Sequence, residues 1–193
     1  MLTLVLDPGH GGADDDGKVV GDVREDVLAL QIAERVEQAL TGLPIVCEFT
    51  RVEDEYVSLH GRAQLAQKFG ADLVVSIHLN SHELGTIHGA DLFHLPGDQS
   101  AGKIADAIAR AMPVKLFSGR VWATAPLPDW RGRAHNVLTP HQALHGKPTV
   151  LVECCYLSSS PDRAYVLTEW GKASIANAIV AGVCKFGEMR EAA

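Results

Sequence analysis

The sequence predicts a single α/β domain, with a mostly parallel or mixed central sheet of about five to six strands and helices on both faces. Short apolar runs, typical of buried strands, alternate along the chain with segments in which apolar residues recur at helical spacing. The chain has 193 residues, of which 47% are hydrophobic and 21% are charged, which suits one well-buried core. No repeat or low-complexity linker interrupts it. We therefore expect one domain at 1–186 and a short C-terminal tail at 187–193.

The first half of the chain is predicted to hold three strands and two helices. The first apolar run stops at Pro8 and Gly9, as a buried strand does. The first helix is expected to start at a capping box formed by residues 22–25 and to continue to Gly42. A second helix is expected to end at Gly70. The predicted strands cover residues 2–6, 45–50 and 73–77, and the second helix covers about 58–69.

The second half is predicted to be less regular in its middle. Residues 113–147 contain several prolines and two tryptophans and show no clear period, so no element is predicted there. Ser160 and Pro161 are expected to cap a helix start. The remaining predicted elements are short strands at 89–95 and 149–152 and helices at 100–112 and about 169–186.

Charge and composition exclude several classes of protein. The formal net charge is -7 without a run of Lys or Arg, so no nucleic-acid partner is expected. No apolar stretch approaches the roughly 18 residues of a membrane span, and the N-terminus shows no secretory signal. We expect a monomer made in the cytoplasm. The four cysteines are expected to be reduced and buried rather than paired in disulfides.

Four short stretches, far apart in sequence, carry the side chains of a hydrolytic metal site. His10 follows the first predicted strand, and Glu25 starts the helix after a Gly- and Asp-rich loop. His78 and Glu153 are expected to end the third and fifth strands. Because sites in open α/β sheets form beyond the carboxyl ends of the strands, the four side chains should converge at one edge.

This combination of side chains suits zinc-dependent hydrolysis. Two imidazoles and one carboxylate form a three-ligand shell that leaves a position open for water. A further carboxylate, Glu153, is then free to act as the base. Taken singly, each residue also has a structural interpretation. A histidine at a strand end is more often hydrogen-bonded than metal-bound, Glu25 fits a capping box, and Asp7 fits a turn.

Candidates for substrate contacts are fewer. Asn80 closes the second histidine motif, and His135 and His145 lie in the irregular segment before Glu153, where they could line a cleft. Trp122 and Trp130 in the same segment are interpreted as packing residues rather than as a sugar-stacking surface.

The ordered motifs resemble the zinc-dependent N-acetylmuramoyl-L-alanine amidases of the amidase 3 type. LDPGHGG at 6–12 is similar to that family's first ligand motif, and SIHLN at 76–80 to its second histidine motif. Residues 24–27 with Leu30 resemble its Glu-containing helix start. VLVECCYLSS at 150–159 resembles its catalytic-glutamate segment. The resemblance covers almost the entire chain, in order.

The resemblance implies one zinc ion held by His10, Glu25 and His78, with Glu153 as general base and acid. The substrate implied is peptidoglycan, cut between the lactyl group of N-acetylmuramic acid and the L-alanine of the stem peptide. Two alternatives remain at this point: a zinc peptidase acting on the stem peptide, and a non-catalytic peptidoglycan-binding module. Without a recognisable export signal or wall-binding repeat, the expected role is that of a holin-released endolysin or an excised catalytic domain.

Overall fold

The protein folds as an α/β domain around a mixed sheet, in agreement with the predicted fold class. The computed structural model describes residues 1–13, 15, 17–113, 120–123 and 131–192, with only the backbone described at 121–123 and 131–135. The strands of the described part are β1 (Leu2–Pro8), β2 (Val19–Val20), β3 (Val23–Arg24), β4 (Ile45–Phe49), β5 (Leu73–Asn80), β6 (Asp91–His94), β7 (Arg120–Ala123) and β8 (Thr149–Tyr156). The helices are α1 (Glu25–Ala39), α2 (Leu59–Phe69), α3 (Gln99–Ala111), α4 (Arg131–Leu144), α5 (Ser160–Val166) and α6 (Glu169–Glu191).

The main sheet has the strand order β4-β1-β5-β8-β6-β7, and β2 pairs with β3 in a small separate hairpin. Strands β4, β1, β5 and β8 are parallel, β6 runs antiparallel to β8, and β7 runs parallel to β6. The central strand β5 is buried from Leu73 to Leu79, since it is covered by helices on both faces.

The two faces of the sheet pack against different helices. Helix α6 contacts both α1 and α3, and the three helices bury the larger core with alternate strand residues such as Leu4, Val75 and Val152. Helices α2 and α4 contact each other on the opposite face. There Val5 and Val74 pack with α2 residues, and a second cluster joins strands β6 and β8 to α4. The prediction of helices on both faces is therefore confirmed.

The irregular segment holds two elements that the sequence analysis did not predict. Strand β7 extends the sheet beyond β6, and helix α4 spans Arg131–Leu144 even though Pro140 lies inside it. The buried Leu138 packs with Phe93 and Leu151, so tertiary contacts support a helix that has little amphipathic pattern of its own. Trp130 lies outside the described residues, as does the side chain of Trp122.

Several predicted boundaries need correction. Helix α1 has no capping box: Arg24 is its N-cap without a side-chain hydrogen bond, and Glu25 is its first residue. Helix α5 is capped by Ser159, and α6 continues to Glu191, so its predicted end at residue 186 was too early. The predicted end of α2 at Gly70 is confirmed, and Ser58, expected at the start of this helix, is its N-cap.

Two expectations from the composition concern the cysteines and the membrane-spanning segments. All four cysteines are free as expected, but only Cys154 and Cys155 are buried, whereas Cys47 is half-buried and Cys184 is exposed. Within the described residues, no helix combines the length and the apolar character that crossing a membrane requires.

Candidate metal centre and cleft

His10 lies in a tight loop directly after β1. Its φ of 57° places it in the left-handed region, which few non-glycine residues adopt. The neighbouring Gly9 leaves room for the second imidazole, because a Cβ there would lie 2.2 Å from the His78 ring. Asp15 Oδ1 lies 2.6 Å from His10 Nδ1. A proton on Nδ1 shared with this carboxylate leaves His10 Nε2 available as a ligand atom.

Two buried arginines hold this loop. Arg51 donates to the carbonyl oxygens of Pro8 (3.0 Å) and Gly9 (2.8 Å). Arg62 donates to the carbonyl oxygens of Pro8 (2.6 Å) and His10 (2.7 Å). Because both guanidinium groups are planar with donors in fixed positions, these hydrogen bonds hold the loop backbone in one conformation. The conformation of the His10 loop is thus set by residues that follow β4 and lie in α2.

Asp7 supplies the counter-charge for Arg62. It is fully buried, receives Arg62 Nη1 at 2.8 Å, and accepts the hydroxyls of Thr50 and Ser76 at 2.6 Å each. Burial alone would raise the pKa of Asp7, but the Arg62 charge and both hydroxyls hold it well below its usual range. The sequence analysis interpreted Asp7 as a turn residue, which was wrong: it is the anion of a buried ion pair.

Glu25 lies between the two histidines. Its Oε1 is 3.5 Å from His10 Nε2 and 3.1 Å from His78 Nδ1, and it also accepts the backbone N–H of Leu79 at 3.0 Å. Its Oε2 accepts the backbone N–H of Lys18 at 2.7 Å. Burial raises the pKa of Glu25, but both imidazoles outweigh this effect and lower it. The carboxylate is therefore kept ionised between two nitrogen donors.

The site collects negative charge around His10. Burial lowers the pKa of His10, but the hydrogen bonds and charges of Glu25 and Asp15 prevail and raise it to about 9. Among the described residues, His10, Glu25 and His78 form the one group of three donors suited to a metal ion, with all donor atoms within 4.8 Å of one another. The negative charge of Glu25 and Asp15 can be compensated either by protonated His10 or by a bound metal cation.

Glu153 lies directly opposite His78 across the β5–β8 ladder and opposite Asp91 on β6. Its Oε2 is buried and has no hydrogen-bond partner among the described residues. Burial, and secondarily the charge of Glu25, raise the pKa of Glu153 well above its usual range. A carboxyl group with these properties takes up a proton readily, which suits a general base.

Neither His78 nor Glu153 ends its strand, contrary to the prediction. Strand β5 continues to Asn80 and β8 to Tyr156, with a register irregularity between His78 and Asn80. Side chains two residues apart share a face, so His78 and Glu153 lie on the same face as Val74 and Leu151, the face covered by α2 and α4. The site therefore lies on this face, toward the carboxyl end, rather than beyond the strand ends.

A cleft of about 400 Å³ contains these side chains. Its lining combines polar groups with apolar ones contributed by α2, α4 and the strands. Besides the three donors and Glu153, it is lined by Asp15, Lys18, Tyr56, Val57, Leu59, Arg62, Leu79, Asn80, Ser81, Phe93, Asn136, Val137 and Leu151.

The three candidate substrate contacts have different outcomes. Asn80 lines the cleft, and its Nδ2 is buried without a partner among the described residues. His145 is absent from the described lining and instead lies 3.0 Å from His141 Nδ1, so its predicted contact with substrate finds no support. His135 belongs to α4, but its side chain lies outside the described part of the structure.

Comparison with known proteins identifies the family of this chain. The sequence profile of the Amidase_3 family, described as N-acetylmuramoyl-L-alanine amidase, matches residues 4–185. The chain belongs to this family. The matched range includes the three donor residues and Glu153.

Two relatives show how far the similarity extends. The N-acetylmuramoyl-L-alanine amidase AmiA of Escherichia coli K12 is 26% identical over 219 residues, covering 95% of this chain and 75% of that protein. A sporulation-specific N-acetylmuramoyl-L-alanine amidase of Bacillus subtilis 168 is 40% identical over 85 residues, covering 42% of this chain and only 32% of that protein. The alignment thus spans three quarters of the Escherichia coli protein and about a third of the Bacillus subtilis protein.

Solved structures match over nearly the whole fold. The N-acetylmuramoyl-L-alanine amidase from Clostridium difficile 630 superposes with a TM-score of 0.81 at 27% identity, covering 97% of both chains. AmiC2 of Nostoc punctiforme, which carries the same enzyme name, gives a TM-score of 0.80 at 25% identity with the same coverage.

Proposed function

We propose that this chain is a zinc-dependent N-acetylmuramoyl-L-alanine amidase that cuts peptidoglycan between the lactyl group of N-acetylmuramic acid and the L-alanine of the stem peptide. Residues 1–186 form its catalytic domain. The observation that carries the proposal is the convergence of His10, Glu25 and His78 in one cleft beside the unpartnered carboxyl of Glu153. Family membership links this geometry to the amide bond.

The donor set fits zinc. Two imidazoles and one carboxylate are the protein ligands of many catalytic zinc sites. Glu25 Oε1 lies 3.5 Å from His10 Nε2 and 3.1 Å from His78 Nδ1, close to the roughly 3.4 Å expected between tetrahedral ligands about 2.1 Å from an ion. When bound, zinc supplies Lewis acidity toward a carbonyl oxygen and lowers the pKa of water. Asp15 contributes by holding His10 in the tautomer that leaves Nε2 free.

Glu153 performs the proton transfers. Its carboxylate takes a proton from the attacking water as the water oxygen bonds to the amide carbon. The same group then gives that proton to the nitrogen of L-alanine as the C–N bond breaks. The products are a lactyl carboxylate on the glycan and a stem peptide with a free amino terminus. A raised pKa suits both halves of this cycle, because the group must hold the proton between them.

Asn80 is the substrate contact that the geometry supports. Asn80 lines the cleft, and its buried Nδ2 lacks a partner among the described residues. A buried amide donor without an acceptor costs free energy, so a carbonyl oxygen of the bound peptide is a suitable acceptor. The asparagine would thereby orient the peptide relative to Glu153.

The cellular role follows from the substrate. We propose that the protein acts on the bacterial cell wall as a monomer, either as an endolysin or as the catalytic domain of a longer wall hydrolase. The known chemistry of the family supports action on peptidoglycan and favours neither of these two roles.

Mass spectrometry of the products from purified sacculi tests the proposed reaction. We expect stem peptides that begin with a free L-alanine and glycan strands with unsubstituted lactyl groups, both absent when Glu153→Gln protein is used. Shortened stem peptides still attached to N-acetylmuramic acid would instead identify a peptidase. Unchanged sacculi that retain bound protein would identify a binding module.

A further inference from the structure

Lys18 is positioned beside the metal-binding group by its own backbone. Its N–H donates to Glu25 Oε2 at 2.7 Å, and its carbonyl oxygen accepts the N–H of Glu25 at 2.9 Å. The preceding Gly17 has a φ of 71°, and a Cβ there would lie 2.7 Å from both Glu25 Oε2 and the His10 ring. The backbone at Lys18 is thus packed against the site, and Lys18 is one of the residues that line the cleft.

The ammonium group of Lys18 has no carboxylate or hydrogen-bond partner among the described residues. The other permanent cation in the lining, Arg62, is occupied by Asp7 and by the carbonyl oxygens of Val57, Pro8 and His10. The charge of Lys18 nevertheless reaches the site, since it acts to lower the pKa of Glu153. Lys18 is therefore a charged group in the cleft that can pair with a ligand.

The rest of the lining is acidic, so a cation in the cleft favours the binding of an anionic substrate. Glu25, Glu153 and Asp15 all lie in the cleft, so a peptide carboxylate entering it meets like charges. Consecutive peptide residues are at most about 3.6 Å apart, and an extended lysine side chain reaches about 6 Å. With its backbone against Glu25, Lys18 can reach a group one residue beyond the scissile amide.

We propose that Lys18 binds the free α-carboxylate of the residue that follows L-alanine in the stem peptide, and so selects stems with a carboxylate over stems with a carboxamide at that position. This inference rests on the proposed amidase function. A carboxamide keeps the shape of the group but removes its charge, so the discrimination arises from the charge of Lys18.

The test compares two synthetic N-acetylmuramoyl dipeptides that differ only in this group, N-acetylmuramoyl-L-alanyl-D-glutamate and N-acetylmuramoyl-L-alanyl-D-isoglutamine, both blocked as the methylamide at the γ-carboxyl. For a partly exposed ion pair, wild-type protein should favour the carboxylate by about three- to tenfold in kcat/KM, mainly through KM. Lys18→Gln should remove the preference and Lys18→Arg should retain it. Lys103→Gln is the matched control, because Lys103 is an exposed lysine on α3 outside the cleft lining.

A binding measurement distinguishes failure of the Lys18 role from failure of the proposed reaction. Calorimetric titration of Glu153→Gln protein with both dipeptides should show the same preference without turnover, again abolished when Lys18→Gln is added. If wild-type protein binds in this way but cleaves neither dipeptide at the amide, the proposed reaction is wrong and the carboxylate site stands. Equal affinity for the two dipeptides, or a preference unchanged by Lys18→Gln, would overturn the role of Lys18.

Discussion

Two pairs of imidazoles in this molecule have almost the same geometry and opposite electrostatics. His10 and His78 meet edge to face with ring centroids 4.9 Å apart, and His141 and His145 do so at 5.2 Å. In the first pair the carboxylates raise the pKa of His10 to about 9. In the second, burial, His141 and Lys147 lower the pKa of His145 to about 4. A close pair of histidines thus does not define a metal site, whereas the intervening carboxylate does.

The second pair is satisfied by its own hydrogen bonds. His145 Nδ1 accepts the backbone N–H of Lys147 at 3.1 Å, which leaves the proton on Nε2 to be shared with His141 Nδ1 at 3.0 Å. This arrangement requires neutral rings, and burial lowers the pKa of His141 as well. The pair closes the end of α4, whereas the first pair faces the cleft.

The largest expected effect concerns Glu153, which only the first pair has beside it. Glu153→Gln should reduce sacculus cleavage by at least about a hundredfold, because the amide keeps the shape but cannot take a proton. Zinc content and thermal stability should stay at wild-type values, since His10, Glu25 and His78 remain. Turbidity assays run beside metal analysis provide the measurement. Lysis within a few-fold of wild type would exclude Glu153 as the base, and loss of zinc would make it a ligand.

A second prediction concerns the ion pair under the first histidine loop. Asp7→Asn leaves the buried Arg62 without its anion, and breaking such a pair costs about 3–5 kcal/mol. The matched change His145→Gln, in a partly exposed pair, should cost less than about 1 kcal/mol. Urea denaturation of both variants measures the free energies of unfolding. If Asp7→Asn also lowered the free energy of unfolding by less than about 1 kcal/mol, the Asp7–Arg62 pair would contribute little to stability.

The two pairs should also respond to pH in opposite ways in metal-free protein. The folded pKa of His10, about 9, lies above the unfolded value of 6.5, so its stabilisation is complete below pH 6.5 and is lost as pH rises toward 9. The folded pKa of His145, about 4, lies below 6.5, so stability falls as pH drops from 6.5 to 4. His10→Asn, which tolerates a positive φ, should flatten the alkaline loss, and His145→Gln the acidic loss.

Unfolding free energies at a series of pH values check this prediction. Each variant serves as the control for the other, because each should alter one limb of the profile and leave the other as in wild type. An unchanged alkaline limb in His10→Asn protein would contradict the electrostatic distinction between the two pairs.

The sequence predicted the first pair and missed the second, for a physical reason. His10 and His78 lie next to apolar runs in the sequence, and these runs form the strands that carry the site. Helix α4, which carries His141 and ends directly before His145, lacks a clear apolar face, and its stability comes from contacts of Leu138 with Phe93 and Leu151. Such tertiary contacts leave no local period in the sequence.

The residues that hold the loop of the first pair in place were also not predictable from the sequence. Arginine is mostly exposed in proteins, so Arg51 and Arg62 gave no sign of being buried. Asp7 looked like a turn residue because its partners Thr50, Arg62 and Ser76 lie far along the chain. Ligand types can be predicted from short motifs, but the groups that fix their geometry are set by the fold.

Zinc content measured in matched variants tests the central claim most directly. Elemental analysis should find about one zinc per chain in wild-type protein and in His145→Gln, and well under half an equivalent in His10→Asn. Chelation should abolish lysis in the first two. Wild-type protein that holds well under half an equivalent of zinc and still lyses sacculi after chelation would contradict the account. So would loss of zinc in the His145→Gln variant together with retention of zinc in the His10→Asn variant.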